Sequence, residues 1–185
     1  MDKRPWVAFF SQTGSEIADI AESIGRWPDL IVTNSRPPHL RTIDKRIEDR
    51  KHDIVITTVN KPTLKDYKAL IPFDNAIVTL HGWLRIMPEE ICEKYTIYNG
   101  HPGLITWYPE LKGKDPQVRA YEGIQEGKYE AAGVVLHKVI SEVDEGKILA
   151  EEYFGVDKNL SLDDLFRILK DRSLYTWIQF LRKIL

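Results

Sequence analysis

The sequence predicts an α/β domain: a Rossmann-like, mostly parallel sheet with helices on both faces and a long C-terminal helix. Three observations predict it. Short apolar runs of strand length alternate with stretches whose apolar residues recur at helical spacing. Two β-rich runs, Ala132 to Ile140 and Lys147 to Phe154, stand together later, divided by an acidic, Gly-containing bend. A single long amphipathic stretch follows them.

Taken in order, Trp6 to Phe10 reads as a strand that runs into the turn Ser11-Gln12-Thr13-Gly14. Ile17, Ala18, Ile20, Ala21 and Ile24 then mark one face of a helix. Leu30 to Val32, Asp53 to Val59, Ala76 to Leu80 and Tyr95 to Tyr98 are further strands, with helices around Ile43 to Arg50, Thr63 to Leu70 and Pro88 to Lys94. Such alternation argues for a parallel sheet covered on both sides. The two later runs are expected to pair as neighbouring strands. Ser161, with Asp164 three residues on, opens the last helix, whose Leu165, Phe166, Leu169, Trp177, Phe180, Leu181 and Ile184 serve packing. Pro37-Pro38 reads as a local turn, and no repeat or linker interrupts the chain.

Composition narrows the function classes. The 185 residues suit one domain, expected to span 1–185. A formal charge of -2, without a long Lys/Arg run, speaks against nucleic acid and anionic membranes and for small molecules. Cys92 is the only cysteine, so no internal disulfide is possible. With no signal-peptide pattern and no spanning segment, a cytoplasmic location is expected.

Ser11 to Glu16 lies where an open α/β sheet builds its ligand site, at the carboxyl end of a strand. Ser15 reads as an N-cap, and free N–H groups at that helix start suit an anion. Glu16 and Asp19 favour the same positive helix end, so Glu16 would compete with a phosphate for it. Neither a three-glycine dinucleotide fingerprint nor a Gly-Lys-Ser/Thr loop is present. Ser-x-Thr-Gly does resemble the phosphate loop of flavodoxin-like FMN-binding domains, a rival reading.

Asn99-Gly100-His101-Pro102-Gly103 sets an amide and an imidazole two residues apart, on one face of an extended chain. An amide donor can steady negative charge on a carbonyl, and a histidine can take a proton from an attacking amine, a pairing suited to acyl transfer. The same residues would also cap a turn. His137 lies in a strand, and the bend Val143-Asp144-Glu145-Gly146 would return a carboxylate to the sheet edge. His39 and His52 have no partner nearby in sequence, and no cluster has metal-ligand spacing, so no metal is expected.

Leu80-His81-Gly82-Trp83-Leu84-Arg85-Ile86-Met87-Pro88, Asn99-x-His101-Pro102, His137 and Val143-Asp144-x-Gly146 together resemble the folate-dependent formyltransferase family, especially its members acting on glycinamide ribonucleotide. The resemblance runs from Phe9 to about Glu151 and includes Ser11-x-x-Gly14-Ser15. It implies that Asn99, His101 and Asp144 are catalytic: His101 manages the amine's proton, Asn99 steadies the oxyanion, and Asp144 holds His101 and a water. It implies 10-formyltetrahydrofolate as donor, a small-molecule amine as acceptor, and no metal. Folate would be held by Trp83, Leu84, Arg85, Ile86 and Met87 and by Ile140, Ser141, Glu142 and Val143. The acceptor would meet Ser11, Gly14, Ser15, Glu16, Gly82 and Pro102.

On its own chemistry, the apolar set Trp83, Leu84, Ile86 and Met87 suits a slot for a flat ring or ordinary core, and Arg85 needs an anionic or carbonyl partner. The chain departs from the family's acceptor side in three places. Glu16 stands where an asparagine is usual. Gly103-Leu104-Ile105-Thr106 replaces Ser-Leu-Leu-Pro, and Leu111 to Arg119 is longer. An amino sugar on a nucleoside diphosphate therefore stands beside glycinamide ribonucleotide as acceptor.

Overall fold

A computed structural model describes residues 4–34, 43–50, 54–56 and 61–185, with 54–56 described as backbone only. Pro37-Pro38, His39, His52 and the ends of the expected Asp53 to Val59 strand lie outside the described residues.

Strands β1 (Trp6–Phe10), β2 (Leu30–Thr33), β3 (Ile54–Ile56), β4 (Ile77–His81), β5 (Thr96–His101), β6 (Ala131–Lys138) and β7 (Ile148–Gly155) form one sheet in the order β3-β2-β1-β4-β5-β6-β7. The first five are parallel. β6 runs antiparallel to β5, and β7 antiparallel to β6, which realises the expected pairing of the two β-rich runs. Every residue of β1 and of β4 is buried, as central parallel strands covered on both faces require. Strand order reverses between β1 and β4, which opens a crevice beyond Phe10 and His81. The order differs from the 2-1-3-4-5 of flavodoxin-like sheets, so the FMN reading is overturned.

Alternate residues of β1 feed opposite cores. Val7 and Phe9 join Tyr67, Leu70, Trp83, Met87 and Ile91 beneath α3 (Leu64–Leu70) and α4 (Glu89–Lys94). Trp6, Ala8 and Phe10 join Ile17, Ile20, Ile47, Trp177 and Leu181 beneath α1 (Ser15–Ile24), α2 (Lys45–Glu48) and α6 (Leu162–Ile184). Helices thus cover both faces, as expected. One helix was not expected: α5 (Pro116–Gln125) follows a short 3-10 turn at Pro109–Leu111 and packs Ala120 and Ile124 against Val134 and Leu165.

Capping explains the helix starts, with one correction. The Ser161 hydroxyl accepts from Asp164 N at 3.1 Å, and Thr63 with Asp66 forms a reciprocal capping box. At α1, however, the N-cap is Gly14 and not Ser15, which is already the first helical residue. Gly14 has φ 73°, a left-handed conformation that favours glycine, and a Cβ there would lie 2.5 Å from Ile47 Cδ1.

Inside Asn99-x-His101, Gly100 is dictated by α6: a Cβ would lie 2.6 Å from Trp177 Nε1. Gly100→Ala is expected to destabilise the fold by about 1–3 kcal/mol through overpacking, measurable as a lower denaturant midpoint. An unchanged midpoint would show that Trp177 yields at no cost.

Candidate functional site

The antiparallel register of β5 and β6 builds the site. Asn99 lies opposite His137, and His101 opposite Val135, so the amide and two imidazoles gather at one sheet position. The Asn99 amide Nδ2 is 3.1 Å from His137 Nε2, and His137 Nδ1 donates to the Lys138 carbonyl at 3.1 Å. Asp144, on the loop between β6 and β7, reaches back over both rings. Its Oδ1 is 3.3 Å from His137 Nε2, its Oδ2 is 3.3 Å from His101 Nδ1, and Oδ2 accepts from Gly113 N at 2.8 Å. His101 Nε2 donates to the Leu111 carbonyl at 3.0 Å. The structure therefore brings Asn99, His101 and Asp144 together and adds His137, Leu111 and Gly113 to them. The polar end of the pair at 99 and 101 is a cluster, not a turn cap.

Local backbone explains how Asp144 gets there. Its φ is 55°, a region that Asp tolerates better than most residues. Gly146 then passes so close beneath Lys138 that a Cβ would overlap the Lys138 carbonyl oxygen. The Asp-x-Gly pattern is thus a steric requirement of the loop.

Charge in the cluster follows from burial and partners. Burial holds His101 below its ordinary pKa, against the pull of Asp144 and the Leu111 carbonyl, so the ring is neutral at neutral pH. Burial alone would raise Asp144, but the His137 bond, the His101 ring and Gly113 N–H together hold it below the usual carboxylate value. A neutral imidazole can satisfy only one of the two acceptors facing His101, while an imidazolium satisfies both. Protonation of His101 would give each acceptor a donor, while burial opposes it.

The first loop differs from its sequence reading. Ser11 Oγ accepts from Leu84 N at 3.1 Å, which ties this loop to the segment after β4. Glu16 turns inward instead of toward an acceptor: Oε1 accepts from Ser173 Oγ of α6 at 2.6 Å, and Oε2 lies 2.8 Å from His81 Nδ1. His81 continues to Thr79 Oγ1 at 2.9 Å, which also accepts from Trp6 Nε1 at 2.8 Å. Burial opposes ionisation of Glu16, but His81, Ser173 and Lys170 outweigh it and keep the carboxylate charged below its usual range. His81 and Ser173 were not picked out as site residues in the sequence. His81 sits inside a motif whose other members drew notice, and Ser173 on a helix read as packing.

The proposed slot after β4 divides in two. Trp83 and Met87 are core: the Trp83 ring packs edge-on to Phe9 at 5.2 Å and its Nε1 donates to Tyr67 Oη at 3.1 Å. Leu84 and Ile86 are instead 63% and 70% exposed, and Ile140 and Val143 across the loop are exposed too. Val139, just before that loop, packs against the core cluster that also holds Trp83 and Met87. Arg85 finds a carbonyl, donating through Nη1 to Leu84 at 2.6 Å. The Ser141 hydroxyl donates to Glu142 at 2.8 Å. Gly82, exposed, follows the end of β4, and Pro102, half-buried, follows the end of β5. Among the described residues no group of three or more His, Cys, Asp or Glu has metal-site geometry, and no helix is long and apolar enough to cross a membrane.

The sheet order and crevice define a Rossmann-like α/β protein with its site at the carboxyl ends of the strands. The formyl transferase family model matches residues 57–179, and the chain belongs to that family. Phosphoribosylglycinamide formyltransferase of Dictyostelium discoideum is 30% identical over 112 residues, which are 57% of this chain and 54% of that protein. Methionyl-tRNA formyltransferase of Thermotoga maritima is 27% identical over 139 residues, 72% of this chain and 42% of that protein. The chain thus spans about half or less of the length of these curated relatives. Among solved structures, phosphoribosylglycinamide formyltransferase of Campylobacter jejuni has a TM-score of 0.79 at 21% identity, over 98% of this chain and 97% of that one. A formyltetrahydrofolate deformylase of Pseudomonas syringae has a TM-score of 0.74 at 19% identity, over 98% and 61%. At these identities the structural likeness is one of fold.

Proposed function

We propose that the chain transfers a formyl group from 10-formyltetrahydrofolate to a primary amine of a small molecule, with glycinamide ribonucleotide as the acceptor. The convergence of Asn99, His101 and Asp144 carries this reading. The amine nitrogen attacks the formyl carbon, a C–N bond forms, and the carbonyl oxygen takes up negative charge. The Asn99 amide has two N–H groups, one facing His137, and the other is available to that oxygen. His101, neutral and flanked by acceptors, takes the amine's proton, and the bond to folate N10 then breaks with protonation of N10. Exposed Leu84, Ile86, Ile140 and Val143 offer apolar area for the pterin ring.

A second acceptor, an amino sugar on a nucleoside diphosphate, stands if its diphosphate is seated away from the first loop. The Glu16 carboxylate, fixed by His81 and Ser173, already sits at the positive end of α1, where it repels a phosphate. A screen of amines with 10-formyltetrahydrofolate, following release of tetrahydrofolate, decides between the two. Turnover with glycinamide ribonucleotide is expected, and turnover only with the amino-sugar nucleotides would move the assignment to them. His101→Ala is expected to abolish turnover with the fold intact, and full activity in that variant would sink the catalytic reading.

A further inference from the structure

Arg119, on α5, donates to three successive backbone carbonyls: Nη1 to Glu110 at 2.5 Å, and Nη2 to Leu111 at 3.1 Å and Lys112 at 2.7 Å. Its Nε is buried with no hydrogen-bond partner among the described residues, so the grip on this turn is the side chain's whole polar function. The gripped turn sends two backbone groups into the cluster, the Leu111 carbonyl onto His101 Nε2 and Gly113 N–H onto Asp144 Oδ2. Lys112 adds a 2.7 Å ion pair to Glu145, next to Asp144. A planar guanidinium matches a row of carbonyls as a single ammonium cannot.

We infer that Arg119 is a positioning residue for the transfer: through the turn it grips, it holds Leu111 on His101 Nε2 and leaves Nδ1 as the nitrogen that takes the amine's proton. The inference rests on the formyl-transfer reading above. With its one proton committed to the Leu111 carbonyl, the neutral ring carries its lone pair on Nδ1. Asp144 Oδ2, 3.3 Å away, favours the arrival of a proton there. Without the grip, the ring proton moves to Nδ1 to bond Asp144, and the basic nitrogen is blocked.

The titratable and charged groups facing His101 are Asp144 on the β6–β7 loop, His137 on β6 and Arg119 on α5. The Leu111 carbonyl raises the ring's pKa and the Arg119 cation lowers it. Loss of positioning therefore moves the acid limb of the activity profile to lower pH, whereas loss of a mere nearby charge moves it higher.

The test is R119M and R119K in the full chain, with kcat, KM for both substrates, pH profile and thermal unfolding. Ring-nitrogen NMR of His101, assigned with His101→Asn, reads the tautomer without any turnover. In R119M, kcat is expected to fall roughly tenfold to a hundredfold with the folate KM held, as displaced catalytic groups do. The tautomer should switch from Nε2–H to Nδ1–H and the acid limb should move down, with R119K intermediate. An Nε2–H tautomer retained with kcat unchanged, or an acid limb that moves up, overturns the inference. If R119M does not fold, R119K decides by the same criteria. Full turnover in His101→Ala would overturn the formyl-transfer reading instead, and the tautomer measurement keeps the two failures apart.

Discussion

Asp144→Ala is expected to slow formyl transfer by about a hundredfold to ten-thousandfold while the sheet remains folded. Three groups converge on this carboxylate, and each loses that contact in the variant: His101 Nδ1, His137 Nε2 and Gly113 N–H. Two consequences add. The loop no longer anchors the 113 turn, and the imidazolium formed at His101 loses its counter-charge. The sign of the pH effect is fixed by the same contacts. In the parent, burial holds His101 below the ordinary 6.5 and Asp144 opposes that, so activity should fall only as pH drops through this lowered value. In Asp144→Ala the opposing charge is gone, so the residual activity should keep its acid limb at still lower pH. Steady-state release of tetrahydrofolate across pH 4 to 8 checks both statements. A parental rate, or an acid limb displaced upward, would remove Asp144 from the chemistry.

Gly146→Ala is expected to cost about 1–3 kcal/mol and to remove activity as well, a double effect with one cause. A methyl group at 146 overlaps the Lys138 carbonyl, so either β6 or the loop must move. The closing bond of the β6–β7 ladder, Lys138 N–H to the Lys147 carbonyl at 2.9 Å, lies in that same step. Asp144, two residues earlier and held at φ 55°, cannot keep its place over the histidines once the loop shifts. Denaturant unfolding and turnover measured on the same sample check the linkage. Lost stability with full turnover would show that the loop relocates without carrying Asp144 along.

The strands were legible because parallel strands covered on both faces leave short unbroken apolar runs, and Trp6–Phe10 and Ile77–His81 are fully buried examples. The last helix was legible from Ser161 and Asp164, which cap it as their types suggest. Helix α5 was not, because only a thin line of residues such as Ala120 and Ile124 faces inward and Pro116, at its first turn, reads equally well as a loop residue. The cluster at Asn99 and His101 could be read because side chains two apart on a strand share a face. Leu111 and Gly113 could not, since they act through backbone atoms that carry no residue-type signal. Trp83 shows the limit of apolar patterning: it shares a segment with exposed Leu84 and Ile86, yet its ring belongs to the core. Glu16 shows the limit of position, since the partners that turn it inward lie 65 and 157 residues away.

Those two contacts fasten the first loop to β4 and to α6 at once. Glu16 is tethered both to His81 at the end of β4 and to Ser173 on α6. Trp177 of the same helix lies against His81, the ring centroids 4.6 Å apart. Closing so distant a contact is slow relative to local pairing. The first loop is therefore set by contacts of the longest range, and a change at Ser173 or Trp177 on α6 is felt at the mouth of the crevice.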